Sequence, residues 1–403
     1  MPGPIAPGRT GTIGVRYSGG GGDEGDLLVD TNDPLRPQRR VALLGVADGD
    51  AATSLAWERA DEDGLLTALA PAGFQRFVLA LFSPPHILDT ETHFPFAVGV
   101  PPPAARPARP APTPRERGEA IRARKAARLA SEVRSRGRPA MRSAQTSYQV
   151  GDSRSLVFDD FPPVPRQLLQ ARVVALSDHA VAFVHIGTEA DGGSLSVAQI
   201  QAHLVRFDID YDGIVDHFGA PSDVDGDDRI AFVYTPLVDD VGLGGFQDPA
   251  SVLQEEFGGS GNLIDLLFLS PTQPASSYRS LLVHEFQHLI NFHQHVLIRG
   301  GASEATWLDE GLSHVAEDLV DGFAAGGNSD NVSAFLANPG AVGLTAQDHV
   351  TSAERGAGYL FVRSLVDRFG EGILLRLVQT GLSDRDSVEE AAGVPFRELL
   401  AGF

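Results

Sequence analysis

Residues 276–292 read SSYRSLLVHEFQHLINF, and this stretch decides the fold. Its apolar residues recur at helical spacing behind Ser276 or Ser277, either of which suits a helix N-cap, so an amphipathic helix is predicted. Residues four apart on an α-helix lie about 40° apart around the axis and about 6 Å apart along it. His284 and His288 can therefore face one metal ion from the same side. Glu285 sits on the adjoining edge, where its carboxylate reaches an attacking water without being a ligand; a general base needs that placement. Strings of this HExxH form also arise by chance on ordinary helices with two satisfied histidines. A third ligand is what would make this one a site.

Catalytic zinc takes three protein ligands and keeps a fourth position open. The chain has no cysteine, so any metal must be held by histidine and carboxylate. The segment ATWLDEGLSHVAEDLV, residues 305–320, supplies the candidate: Glu310 follows His288 after 21 intervening residues, room for a loop and a returning helix. His314 and Glu317 share its helical face one and two turns later and compete for the role. Asp309 and Asp318 are both candidates to orient the ligand histidines, and sequence does not choose between them. His293 and His295, just past the first helix, are expected at the surface or behind the ligands. A developing oxyanion would also need a donor from the helical half. Tyr359, in GAGYLFVRSLVDRFG, is the candidate, ahead of His349 and His314; the competing reading packs Tyr359 in the helical core.

With 403 residues, 42% of them hydrophobic, the chain can bury a sizeable core and form two or three domains. A net charge of −21 repels nucleic acid and anionic membrane surfaces and suits an acidic secreted or calcium-binding protein. No apolar run reaches the roughly 18 residues needed to span a bilayer. The opening MPGPIAPGRTGTIGV lacks a signal-peptide core, but a removed or absent leader would leave the same start, so an extracellular location remains open.

Residues 1–100 carry short apolar runs, among them RRVALLGVADG and FQRFVLALFSP, between Gly, Pro and Asp clusters, and are expected to form a small β-rich domain of unknown role. Within it, SGGGGDEGD at residues 18–26 lacks the Lys and Ser/Thr of a phosphate-binding loop and reads as a hairpin tip. Residues 101–147 turn Pro-rich and then Arg-rich, and are expected to be a partly helical linker. Residues 106–142 hold 12 basic and 3 acidic residues, a local charge of +9 against −30 elsewhere. The segment reads either as a solvated helix between Pro-rich hinges, favoured because no aromatic residues interleave the arginines to stack bases, or as a nucleic-acid-binding or inhibitory arm docking on the acidic catalytic part. As an exposed Arg-rich stretch it is also expected to be cut during maturation. From residue 148 to 403 strands come first, in ARVVALSDHAVAFVHIG, IAFVYTPLV and NLIDLLFLSP, and helices follow from Ser276. That order predicts an α+β catalytic domain in which a sheet half packs on a helical half.

Two further acidic runs precede the helices. Asp223, Asp225 and Asp227 alternate around Gly226, with Asp228 next, and Asp208, Asp210 and Asp212 alternate upstream. Alternating Asp in a tight turn wraps oxygen ligands around calcium. Neither run has a closing Glu at its twelfth position, where Tyr234 and Gly219 stand, so a solvated Asx-rich turn is the competing reading.

The string WLDEGLSHVAE after HEFQH resembles the gluzincin metallopeptidases, in which HExxH is followed by a Glu ligand on the next helix. It is similar to the WLNEGFA segment of the aminopeptidase N group, where Glu310 takes the ligand position and Glu317 matches an acidic residue seven places later. Over residues 148–403 the chain resembles more closely the hyicolysin-type family of secreted bacterial metallopeptidases, through RVVALSDHAVAFV, FGAPSDVDGDDRIAFV, GGFQDP, HEFQHLINF, WLDEGLSHVAEDL and GYLFVRSLVDRFG. The resemblance implies a zincin-like catalytic domain, zinc on His284, His288 and Glu310, Glu285 as the catalytic residue, and hydrolysis of peptide bonds in protein or peptide substrates. Metzincins are excluded, because Asn291 and Gln294 stand where their Gly and third His belong. Thermolysin-like enzymes carry an Asp four residues after the Glu ligand, where this chain has His314. The GxMEN-type element that reads a free amino terminus in the aminopeptidase group is not found, which favours an endopeptidase over an aminopeptidase. A non-catalytic binding module keeping the fold is the third expectation, and the retention of Glu285 speaks against it.

Overall fold

The structure is a computed structural model that describes residues 24–30, 38–46, 65–71, 78–82, 93–97, 112–139, 146–187, 195–345 and 351–403, the first five stretches as backbone. The chain divides into two compact units, one essentially residues 1–110 and the other residues 111–396. The first contains β1 (Glu24–Asp30), β2 (Gln38–Val46), β3 (Leu65–Pro71), β4 (Val78–Phe82) and β5 (His93–Ala97). β2 pairs antiparallel with β1 and parallel with β3, while β4 and β5 form a separate antiparallel pair. Residues 18–23 of the glycine run lie outside the described residues.

The second unit is mixed α+β. It begins with α1 (Pro114–Arg136), followed by β6 (Ser153–Phe158), β7 (Gln167–Leu176), β8 (Ala180–His185), α2 (Val197–Phe218), β9 (Ile230–Tyr234), α3 (Leu237–Asp240), β10 (Gly245–Gln247) and β11 (Leu266–Leu269). The helical half follows: α4 (Tyr278–Phe292), α5 (Thr306–Asp321), α6 (Asn328–Ala337), α7 (Ser352–Phe369), α8 (Gly372–Val378) and α9 (Arg385–Ala392); α10 (Phe396–Gly402) comes last in chain order, and its residues 397–402 are not part of this unit. Six strands form one sheet in the order β10-β11-β9-β8-β7-β6. The β9 strand runs parallel to both neighbours, and the other pairings are antiparallel. The expected hairpin is present as β7 and β8 around Ser177–His179. Of IAFVYTPLV only Ile230–Tyr234 is strand, because Pro236 opens the short α3 instead.

Sheet residues Phe158, Phe183, Val233 and Phe268 share one apolar core with Phe246 on the edge strand. A second core joins Leu129, Ala130 and Val133 of α1 to Val224, Leu253, Phe257, Phe292 and Val296. The solvated-linker reading is thereby overturned for residues 114–136. The N-cap Thr113 closes a capping box with Glu116, Pro114 occupies the first turn, and the helix buries an Ala/Leu/Val stripe against the rest of the second unit. Its fit is close: a Cβ on Gly118 would lie 2.9 Å from Leu243, and one on Gly242 would lie 2.5 Å from Pro114.

The first acidic run is corrected as well. Asp208, Asp210 and Asp212 lie inside α2, because Leu204, Phe207, Ile214 and Phe218 set a helical period that the intervening aspartates hide. Asp208 accepts hydrogen bonds from Ser177 and the His179 amide, and Asp210 is held by Arg279 at 2.8 Å. They are structural partners in the body and form no loop.

Candidate metal centre

The α4 helix starts after a short 3-10 turn, Ala275–Ser277, and neither predicted serine caps it through its side chain. The helix is buried from Leu282 to Phe292 and continues into a π-helical turn, His293–Ile298. His293 and His295 are buried there, their Nδ1 atoms 3.0 Å from the carbonyls of Ala220 and Leu382 respectively. Burial lowers the His295 pKa to about 4. Both histidines therefore hold the backbone together, and the expected surface position is corrected.

The α5 helix returns alongside α4 and brings Glu310 to the two histidines. Gly311, next to it, lets α7 approach: a Cβ at that position would lie 2.8 Å from the Gly358 carbonyl. One ligand atom from each of His284, His288 and Glu310 lies within 4.8 Å of the others. The three separations are 3.2 Å between the histidine Nε2 atoms, 3.6 Å from His284 to Glu310 Oε2 and 3.5 Å from His288 to Glu310 Oε1. A tetrahedron with metal–ligand bonds of about 2.0–2.2 Å has edges of about 3.3–3.6 Å, so these contacts are of the size a zinc site needs, with the two histidines meeting different oxygens of Glu310. Nitrogen and carboxylate donors suit the same ion.

A second set, His284, His314 and Glu317, is also close-packed. It uses the opposite nitrogen of His284. Glu317 takes His284 Nδ1 at 2.8 Å and His314 Nδ1 at 2.9 Å, which are hydrogen-bond lengths. Glu317 thus pins the His284 ring and leaves Nε2 for the metal. Asp309 does the same for His288, 3.0 Å from its Nδ1, and is itself held by Asn291 at 2.6 Å. Asp318 does not reach a histidine. It accepts the Tyr359 hydroxyl at 2.9 Å and pairs with Arg363, so the tyrosine is committed to the helix packing that was its competing reading. His349 lies outside the described residues.

Glu285 completes the set, its Oε2 accepting the Gln247 amide at 2.9 Å from β10. That contact ties the candidate base to the sheet edge. Burial alone would lower the His284 pKa, but Glu317, Glu310 and Glu285 raise it to about 10. Burial likewise opposes ionisation of Glu310, yet the hydrogen bond from His284 and the charges of His288, His284 and Arg122 hold its carboxyl well below the ordinary range. The pocket therefore favours a cation among ionised carboxylates. Replacing Asp309 by Asn, which removes the charge behind His288, is expected to weaken zinc binding by about 10–100-fold in competition with a chromogenic chelator. Unchanged affinity would remove Asp309 from the support of the site.

Two arginines enter that sequence reading did not assign. Arg122, from α1, contacts Asp309 Oδ2 and Glu310 Oε1 at 3.0 Å each. Arg355, from α7, contacts Glu310 Oε2 at 2.6 Å and also pairs with Glu119 of α1. Both are buried. Only the net basicity of residues 106–142 against an acidic body pointed to such a contact, and it did not name the residue. Lys125, the sole lysine, adds ion pairs to Asp159 at 3.1 Å and Asp248 at 3.4 Å. Through Gly118 beside Leu243 and Lys125 beside Asp248, α1 meets the chain on either side of the edge strand β10. His284, Glu285, His288 and Glu310 are each at most 6% exposed, so the site is closed.

No protein-family model matches the chain, and no curated protein does. Solved structures similar to it include an M1 zinc metallopeptidase from Deinococcus radiodurans, at 14% identity and a TM-score of 0.31, covering 62% of this chain and 57% of that one. A point mutant of that enzyme aligns at 13% identity and a TM-score of 0.33, covering 62% and 60%. A two-domain M1 zinc metallopeptidase mutant bound to L-tryptophan aligns at 14% identity and a TM-score of 0.32, covering 62% and 52%. The chain thus spans 52–60% of the length of these structures. Among the described residues no helix is long and apolar enough to cross a membrane.

Proposed function

We propose that the protein is a zinc-dependent endopeptidase of the gluzincin type, similar to the secreted hyicolysin-type enzymes, and that α1 holds it in a latent form. The observation that carries the activity is the triad His284, His288 and Glu310 at tetrahedral spacing, with Glu285 beside it. Zinc bound there supplies Lewis acidity, acidifying a water and polarising a peptide carbonyl. Glu285 accepts the proton from that water and returns it to the departing amine nitrogen. Asp309 and Glu317 keep the two imidazoles in the tautomer that presents Nε2. Gln247, whose amide fixes Glu285, lies on the sheet edge, where an extended substrate backbone would add as a further strand. The buried cations Arg122 and Arg355 already neutralise Glu310, and α1 packs on the chain at both ends of that edge strand; both features support latency.

Zinc analysis and peptide assays test the activity. Wild type is expected to hold stoichiometric zinc, and the His288→Ala and Glu310→Ala variants to lose most of it, because removing one of three ligands destroys the site. Peptides blocked at the amino terminus are expected to be cut inside the chain at least as well as free ones once α1 is released. Cleavage confined to free amino termini would replace the endopeptidase reading with an aminopeptidase. Full zinc retention in both ligand variants would remove the triad.

A further inference from the structure

The loop between α2 and β9, residues 220–229, forms a second cluster independent of the zinc triad. Asp223, Asp225 and Asp227 each bring one carboxylate oxygen within 4.8 Å of the others. Asp225 and Asp227 are each 6% exposed, and Asp225 Oδ1 and Asp227 Oδ2 are buried with no hydrogen-bond partner. Their other oxygens are occupied: Asp225 Oδ2 accepts the Tyr148 hydroxyl at 2.9 Å, and Asp227 Oδ1 the Arg229 amide at 2.9 Å. One oxygen of each carboxylate is thus fixed by the protein while the other is left bare. A bare buried acceptor is costly, and two side by side call for a partner that satisfies them.

From these bare oxygens we infer that the loop is a calcium site, with Asp223, Asp225 and Asp227 as ligands. All the donors are oxygen, the preference of a hard cation. The aspartates occupy the first, third and fifth places of a loop whose sixth residue, Asp228, sits at φ 58°. Calcium loops of this order put a left-handed residue, usually glycine, at that place to turn the chain back around the ion. Asp265, itself buried, supports the loop by accepting the Val224 amide at 2.7 Å and the Ser222 hydroxyl. The Thr146 amide donates to the Asp225 carbonyl at 2.9 Å, tying the loop to the chain that follows α1.

Tyr148 makes the site optically addressable, because a tyrosine this close sensitises terbium, an analogue of calcium. The zinc-loaded full chain is expected to give tyrosine-excited terbium emission that calcium displaces and zinc does not. The emission should fall severalfold in Tyr148→Phe and vanish in an Asp225→Asn, Asp227→Asn double variant that retains its zinc. Calcium at a hundredfold excess over its Kd is expected to raise the wild-type Tm by roughly 5 °C and leave the double variant unmoved. Terbium emission equal in wild type and double variant, or a wild-type Tm indifferent to calcium, would overturn the site.

Discussion

Glu285→Gln is expected to lower kcat on a protein substrate by on the order of 10³-fold while zinc remains stoichiometric and the fold intact. Glutamine is the informative replacement because Glu285 has two functions in this structure. Its Oε2 accepts the Gln247 amide, and a glutamine oxygen still accepts that bond. It is also the candidate proton acceptor, and an amide takes no proton. The variant thus keeps the tie to the sheet edge and removes only the base, a loss of about 4 kcal/mol of barrier lowering. KM should change little. Activity within tenfold of wild type would assign the base elsewhere, and loss of zinc would mean that Glu285 acts as a ligand. The measurement is run after release of α1, so that the closed site does not hide the difference.

How much of this site was legible in sequence depended on how local each interaction is. His284, Glu285 and His288 lie within one helical turn and a third, so spacing alone placed them on one face. Glu310 was found because the fourth coordination position of zinc must stay open and a third ligand is therefore required. Spacing alone left Glu310, His314 and Glu317 together on one helix face, and the gluzincin resemblance named Glu310; the structure adds which ring each carboxylate meets. Asp309 and Asp318 were indistinguishable for the same reason, and α7 settles the matter by supplying Tyr359 and Arg363 to Asp318. The aspartates of α2 misled in the opposite direction. Their alternation copies a calcium loop, while the competing period of Phe207, Ile214 and Phe218 is longer than the motif and becomes visible only over several turns. Arg122 was out of reach: its partners are 187 and 188 residues away, and no local pattern encodes a contact of that span.

Cutting the chain between residues 139 and 146 is expected to turn a latent enzyme into one whose activity rises on dilution. While α1 is tethered, its effective concentration at the site is set by the connecting chain, on the order of millimolar for a short tether, and is the same at every protein concentration. Activity per mole of intact protein should then be low and independent of dilution. Once cut, α1 is held by its own contacts, among them Leu129, Ala130 and Val133 in the apolar core, Lys125 on Asp159 and Asp248, Glu119 on Arg355, and Arg122 on Asp309 and Glu310. Dilution through the resulting Kd frees the segment and opens the site. Adding Leu129→Asp to the cut chain places a charge in that core and should shift the activation to about 100-fold higher protein concentration, equivalent to nearly 3 kcal/mol of lost docking. Arg122→Leu should behave differently. It leaves the apolar anchor in place and removes the cation beside Glu310, so zinc affinity should rise in the uncut chain. The outcomes separate the two claims. An intact chain already as active as the cut one makes α1 a structural helix and leaves the peptidase standing. A cut, diluted, zinc-loaded chain that cleaves nothing removes the peptidase itself.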